Sequence, residues 1–280
     1  MSIAGGIYRA LERGKDAGCR TIQIFLKNST QWQGKPLHEE DRVRYLEVRK
    51  RMGIHPVVAH NSYLINLASP DPDLYRKSLG AFVEEMKRAR FLGIGCVILH
   101  PGAHMGDGED RGLARVAAAL DCALDQVEPP VRILLENTAG QGTCLGHRFE
   151  HLATILGSLR EERRVGICLD TCHTFAAGYD IRASESYRKS MRELDRLVGI
   201  ERVGVIHVND SKGKLGCRVD RHAHIGKGFI GLDGFRCLVN DRRFFHVPMI
   251  LETPKGEDLA LDRRNLATLR RLARKSDSGS

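Results

Sequence analysis

Nine histidines and carboxylates stand where apolar runs of this chain give way to polar residues. His60 follows Val57-Val58-Ala59, His100 follows Val97-Ile98-Leu99, and Glu136 follows Ile133-Leu134-Leu135. Asp170 and His173 lie three apart in Leu169-Asp170-Thr171-Cys172-His173, and His207 ends Val205-Ile206-His207. Asp220 and His222 form an i, i+2 pair on what must be a loop, and Glu252 follows Ile250-Leu251. A single histidine in such a place is commonly just a satisfied polar side chain. An unpaired carboxylate at Glu136 would be costly, however, so that position requires a cation or a cationic neighbour. Oxygen and nitrogen donors without cysteine suit Zn²⁺ or Mn²⁺ in a working site better than a Cys-rich structural zinc. Nine ligands exceed the needs of one ion; a carboxylate bridging two ions, with a third ion nearby, accounts for the number.

Such a set converges only if the chain brings the run ends together. Short β-rich segments are expected at Thr21–Lys27, Pro56–Asn61, Cys96–Pro101, Arg132–Asn137, Val165–Thr171, Val203–Asp210 and Val247–Thr253. Helical spacing of apolar residues predicts helices at about 7–18, 39–52, 71–93, 110–127, 147–159, 184–198, 233–239 and 257–274. Alternation of this kind implies parallel strands joined by crossover helices, in an open sheet or a closed barrel. Six of the seven segments end in His60, His100, Glu136, Asp170, His207 or Glu252. A TIM-type (β/α)₈ barrel gathers all of these on one axis, whereas an open sheet spreads them in a line. No linker or repeat divides residues 1–275, so one domain is expected, with 276–280 as a solvated tail.

The 280 residues, 42% of them hydrophobic, can supply a large core, which excludes disordered, collagen-like and small disulfide-framework classes. The longest uncharged apolar stretch, Phe91 to Leu99, falls far short of the roughly 20 residues of a membrane span. Residues 1–20 carry charges and no apolar core of a secretory signal, so a cytoplasmic location is expected. Eight cysteines without a C-x-x-C pair read as free thiols. Of the 44 basic residues 32 are arginine, and the formal charge is +9. That excess suits phosphate recognition, or is simply a soluble basic surface.

The strings AHNSYLINL (59–67), LHPGAH (99–104), LENTAGQG (135–142), CLDTCHTFAAGYD (168–180), IHVNDSK (206–212), RVDRHAHIGKG (218–228) and ILET (250–253) carry a resemblance. They resemble, in order and from about Ser2 to Thr253, the endonuclease IV family of apurinic/apyrimidinic (AP) endonucleases. The resemblance implies a barrel with three zinc ions, Mn²⁺ being an option in some sites. One zinc would be held by His60, His100 and Glu136, a second by Glu136, Asp170, His207 and Glu252, and a third by His173, Asp220 and His222. The bridging Glu136 would serve catalysis: hydrolysis 5′ to an abasic site in double-stranded DNA, leaving a 3′-hydroxyl and a 5′-deoxyribose phosphate, and removal of 3′-blocking groups, in base excision repair. Tyr63 and Leu64 match the family's wedge into the DNA gap; otherwise they are ordinary loop hydrophobes. Lys27, Arg218 and Lys227 are expected to hold the backbone, and the protein to act as a monomer without a membrane.

Two departures from the family pattern stand out. Thr30 occupies the place of an arginine that enters DNA in many members. The family's opening strand, G-A-H-V-S before A-G-G, has no counterpart before Ala4-Gly5-Gly6, so the barrel is expected to lack its first strand. Three minor candidates are read as bystanders: His104 as a loop residue, His224 as a neighbour of the site, and Cys172 as buried packing. Gly226–Gly231 lacks the order of a phosphate loop. The competing readings are a metal-dependent sugar isomerase or epimerase, which needs fewer ligands, and a DNA-binding module with a structural metal.

Overall fold

A computed structural model describes residues 1–273; the expected tail, 276–280, lies outside them. Seven strands, β1 Ile22–Phe25, β2 Val57–His60, β3 Cys96–Leu99, β4 Arg132–Glu136, β5 Val165–Asp170, β6 Val203–His207 and β9 Met249–Ile250, pair in parallel in sequence order. Helices α1 Arg9–Ala17, α2 Glu39–Met52, α3 Pro72–Phe91, α4 Glu109–Gln126, α5 Phe149–Gly157, α7 Ser184–Leu197, α8 Gly231–Val239 and α9 Ala260–Leu272 lie between and around them. The result is a nearly closed barrel. None of the helices among the described residues is long and apolar enough to cross a membrane.

Both faces of these strands are buried, which is why they read as continuous apolar runs. Residues such as Ile24, Ala59, Val97 and Ile133 face outward and pack with Leu11, Phe82, Met86 and Leu120 of the helices. Val58, Ile98, Leu134, Cys168, Val205 and Ile250, one from each of six strands, form a separate inner plug. Side chains alternate along a strand, so the residue two positions on shares the inner face. Those residues are His60, His100, Glu136, Asp170, His207 and Glu252. The metal-ligand candidates thus form the polar layer directly over an apolar plug.

Local sequence sets the ends of several elements. Asp71 accepts from the N–H groups of Asp73 and Leu74 at 2.8 and 3.0 Å while Pro72 occupies the first helical turn, which starts α3. Gly53, at φ 64°, closes α2 in a conformation that side chains resist. Two features escaped the sequence reading. Helix α6, Thr171–Ala177, springs straight from β5, and the strands β7 Asp210–Ser211 and β8 His222–Ala223 pair antiparallel beyond β6. Both are too short to show a period.

As expected, no eighth strand joins β9 to β1 among the described residues. The gap is spanned in other ways. The Met1 ammonium donates to the Gln23 carbonyl, and Met1 and Ile3 pack on the core. Arg263 donates to the Asp16 carbonyl at 2.9 and 3.1 Å, joining α9 to α1.

Leu134→Ala removes most of a plug side chain directly beneath Glu136 and should lower unfolding free energy by about 2–5 kcal/mol in a urea titration. A loss below about 0.5 kcal/mol would contradict a close-packed plug.

Candidate metal centre

All nine candidate ligands converge at the mouth of the barrel. Glu136, with no solvent exposure, lies at the middle. Its Oε2 lies 3.0 Å from His60 Nε2 and 3.3 Å from His100 Nε2. Its Oε1 lies 2.9 Å from His207 Nδ1 and 3.3 Å from His173 Nδ1. Around His207 Nδ1, Glu252 Oε2 stands at 3.1 Å and Asp170 Oδ2 at 3.9 Å. On the other side, Asp220 turns one oxygen to His173 Nε2 and the other to His222 Nε2, each at 3.2 Å. His60, His100 and Glu136 bring their ligand atoms within 4.8 Å of one another, and so do His173, Asp220 and His222.

Backbone and amide partners fix how the ligands point. Asp170 ends β5 and also caps α6, its Oδ1 accepting from His173 N–H at 2.8 Å. That turn is what joins Asp170 to His173. Asn209 donates to Asp170 Oδ2 at 2.6 Å and Asn137 accepts from Asp170 N–H at 2.7 Å. Four imidazoles each spend one nitrogen on a neutral acceptor. His60 Nδ1 faces Asn61 O at 2.8 Å, His173 Nδ1 faces Asn137 O at 2.9 Å, and His222 Nδ1 faces Glu252 O at 3.1 Å. His207 uses Nε2 instead, on Gln23 Oε1 at 2.7 Å. A proton on the spent nitrogen leaves the other lone pair for a cation.

Electrostatics agree with this arrangement. Burial pushes the Glu136 carboxyl up, yet His207, His100 and His173 hold it well below the usual carboxylate range. Burial also raises Glu252, and His207 outweighs it, bringing that carboxyl down to about 2. His222 resists protonation through burial, but Asp170 and Asp220 lift it from 6.5 to about 9. His173 is likewise driven well above its ordinary value, by Asp170, Asp220 and Glu136 against burial. The acids therefore stay ionised in a dry site, and without a metal ion the imidazoles supply the positive charge that they face. His173 Nε2 and His222 Nε2 are buried, and although Asp220 stands 3.2 Å from each, neither makes a well-directed hydrogen bond among the described residues. These two lone-pair positions flank the Asp220 carboxylate, so the residues fit a metal ion.

The other candidates separate clearly. Tyr63 is 62% exposed above the site, its ring 5.8 Å from that of His60, while Leu64 is half-buried beside it. Arg218 and Lys227 are exposed on the loops flanking Asp220 and His222. Lys27 is a correction: it is 5% exposed and ion-paired with the buried Glu85, so its ammonium does not reach a DNA surface. Glu85 in turn accepts from Ser62 N–H at 3.2 Å, so this pair braces the loop that carries Tyr63. His104 Nδ1 accepts from Gly108 N–H at 3.1 Å, as a loop residue does, and His224 meets Asn265. Burial raises the Cys172 thiol to about 12, consistent with packing. Within Gly226–Gly231, Gly228 N–H and Ile230 N–H both donate to the buried Asp210 carboxylate at 3.0 Å, so those amides are not free for phosphate.

A further cluster, Glu109, His147 and His151, also brings ligand atoms within 4.8 Å. Gly146 N–H donates to His151 Nδ1 at 3.2 Å, and His151 Nε2 lies 3.2 Å from Glu109 Oε2. Arg148 adds a guanidinium 3.1 Å from that nitrogen. The Arg148 guanidinium, 3.3 Å from Glu109 Oε2, already supplies positive charge to this cluster. Sequence reading missed Gln23, Asn137, Asn209 and Glu85. Gln23 alone left a signal, as the polar residue inside Ile22-Gln23-Ile24-Phe25.

Fold and site define a class, and residues 11–272 match the family described as the xylose isomerase-like TIM barrel. The chain is 54% identical over 275 residues to a "Probable endonuclease 4" of Chloroflexus aggregans, covering 98% of this chain and 96% of that protein. The crystal structure of endonuclease IV from Thermus thermophilus superposes with a TM-score of 0.86 at 37% identity, over 97% of this chain and 96% of that one. The chain belongs to the endonuclease IV family. A D-tagatose 3-epimerase-like protein shares the fold alone, with a TM-score of 0.74 at 18% identity over 96% of this chain and 95% of that one.

In metal-free protein the His222 proton stabilises the fold fully below 6.5, and that contribution is lost as pH rises through about 9. A divalent ion bound at His222 would displace this proton, so uptake of zinc should release protons near neutral pH and tighten as pH rises towards about 9. Titrating zinc into weakly buffered metal-free protein with a pH indicator measures this. Uptake that is pH-independent and releases no proton would contradict the arrangement at His222.

Proposed function

We propose that this chain hydrolyses the phosphodiester 5′ to abasic sites in double-stranded DNA, with three zinc ions held by the nine residues at the barrel mouth. As a member of the endonuclease IV family it is a DNA-cleaving hydrolase. The observation that carries the finer reading is Glu136. Its Oε2 faces the Nε2 atoms of His60 and His100, whereas its Oε1 faces His207 Nδ1. A carboxylate so shared can bridge two cations, and the separate His173, Asp220 and His222 set can hold a third. That last set is more than an isomerase working with one or two ions needs.

Divalent ions in these positions supply Lewis acidity for a water nucleophile and offset the charge of the phosphoryl group. The remaining tasks fall to the chain. Asn61, Asn137 and Gln23, together with the Glu252 carbonyl, hold four imidazoles in one tautomer. Tyr63, exposed beside His60, enters the space of the missing base with Leu64 behind it, and that missing base lowers the cost of turning the nucleotide out. Arg218 and Lys227 pair with backbone phosphates, which makes binding weaken with salt. Thr30, whose hydroxyl bonds Asn28 Oδ1 at 2.9 Å, brings no cation to its part of the mouth. The product ends are a 3′-hydroxyl and a 5′-deoxyribose phosphate, and 3′-blocking groups leave by the same hydrolysis. Zinc fits the mixed donors, with Mn²⁺ able to take some positions. The protein acts as a monomer in the cytoplasm, in base excision repair.

A duplex with one abasic analogue tests the reading. Intact protein should nick it 5′ to the lesion, chelator should abolish cleavage, and zinc should restore it. Glu136→Gln should reduce cleavage by more than roughly 100-fold, beyond the loss expected from an outer partner. Tyr63→Ala should weaken binding of the abasic duplex while leaving zinc content unchanged. Full cleavage by metal-free protein would refute the metal mechanism, and unchanged binding by Tyr63→Ala would refute the wedge.

A further inference from the structure

Gln23 is the one polar residue of β1 that faces into the barrel. It pairs in register with Val58, at the level where six other strands contribute the apolar plug. Gln23 is only 6% exposed, and a buried amide is costly unless its oxygen and nitrogen both find partners. Both do, at the metal-ligand cluster. Its Oε1 accepts from His207 Nε2 at 2.7 Å, and its Nε2 donates to Glu252 Oε1 at 2.6 Å. Exchanging oxygen and nitrogen would set two donors against each other at His207, or two acceptors at Glu252, so the pair of contacts fixes the amide's orientation.

We propose that Gln23 is the positioning residue of the ion site formed on His207 and Glu252. This inference rests on the metal reading of the centre. An amide oxygen can only accept, so the His207 ring carries its proton on Nε2 and keeps Nδ1 as the ligand atom. That Nδ1 faces Glu136 Oε1 at 2.9 Å and Glu252 Oε2 at 3.1 Å. The amide N–H₂ occupies Glu252 Oε1 and leaves Oε2 for the ion. One side chain thereby selects one atom on each of two ligands that come from different strands. It does so from β1, the strand at the open edge of the barrel, so Gln23 also couples that edge to the centre.

The test uses the full chain, stripped of metal and titrated with zinc against a competing chelator, and with Co²⁺ for its visible absorption spectrum. Gln23→Leu removes both contacts at similar volume. Gln23→Glu keeps an acceptor for His207 but sets a second carboxylate against Glu252, and carries the test if the leucine variant does not fold. Circular dichroism of the metal-free variants establishes folding. Each folded variant should bind one zinc equivalent roughly 10- to 100-fold more weakly than the parent, with the other equivalents unchanged. The Co²⁺ spectrum should shift in band position or intensity, which a side chain that only fills space would not cause. Unchanged zinc affinities and an unchanged Co²⁺ spectrum in a folded variant would overturn the inference while leaving the metal reading intact. A parent chain that takes up no zinc would overturn both.

Discussion

The buried charge of Glu136 is the constraint on which the rest of the site depends. A carboxylate with no solvent exposure, over an apolar plug, is costly unless positive charge surrounds it closely. Imidazoles from β2, from the loop after β3, from α6 and from β6 come within 3.3 Å of it, and those of His60, His173 and His207 are held by a further carbonyl, acid or amide. Asp170, Asp220 and Glu252 add negative charge in the same small volume, so histidine protons alone must be shared among four acids. Cations at the centre resolve that crowding and leave each histidine neutral, the form in which it ligates.

The barrel supplies this arrangement through the two-residue period of its strands. Each inner plug residue fixes the direction of the ligand two positions further on, from Val58 and His60 round to Ile250 and Glu252. The set does not come wholly from strand ends. His173 is brought in by the Asp170 cap of α6, and Asp220 and His222 by the segment that ends in the β7–β8 pairing. Three sets of ligands therefore share one mouth while resting on different local devices. A loss in one device need not dismantle the others.

Much of this could be read in the sequence, because an apolar run ending in His, Asp or Glu is a local pattern and the barrel repeats it six times. Helix boundaries followed from local signals too: α7 has a strong amphipathic period, and α2 runs from an acidic first turn of Glu39, Glu40 and Asp41 to a closing Gly53. The unread parts are short or non-local. Helix α6 and the β7–β8 pair hold too few residues for a period, and the hydrogen bonds of Gln23 to His207 and Glu252 join residues 184 and 229 positions apart. Lys27 shows the opposite failure. A lysine in Phe25-Leu26-Lys27-Asn28 looks available for phosphate, and only the fold reveals Glu85 behind it.

The proposed arrangement is one three-ion centre built from these nine side chains and bridged by Glu136. Anomalous diffraction collected across the zinc absorption edge, from crystals of the protein grown with zinc, tests it most directly. The account predicts three zinc peaks at the barrel mouth, two of them sharing Glu136 and the third bounded by His173, Asp220 and His222. A single peak, or zinc bound away from Glu136, would contradict it.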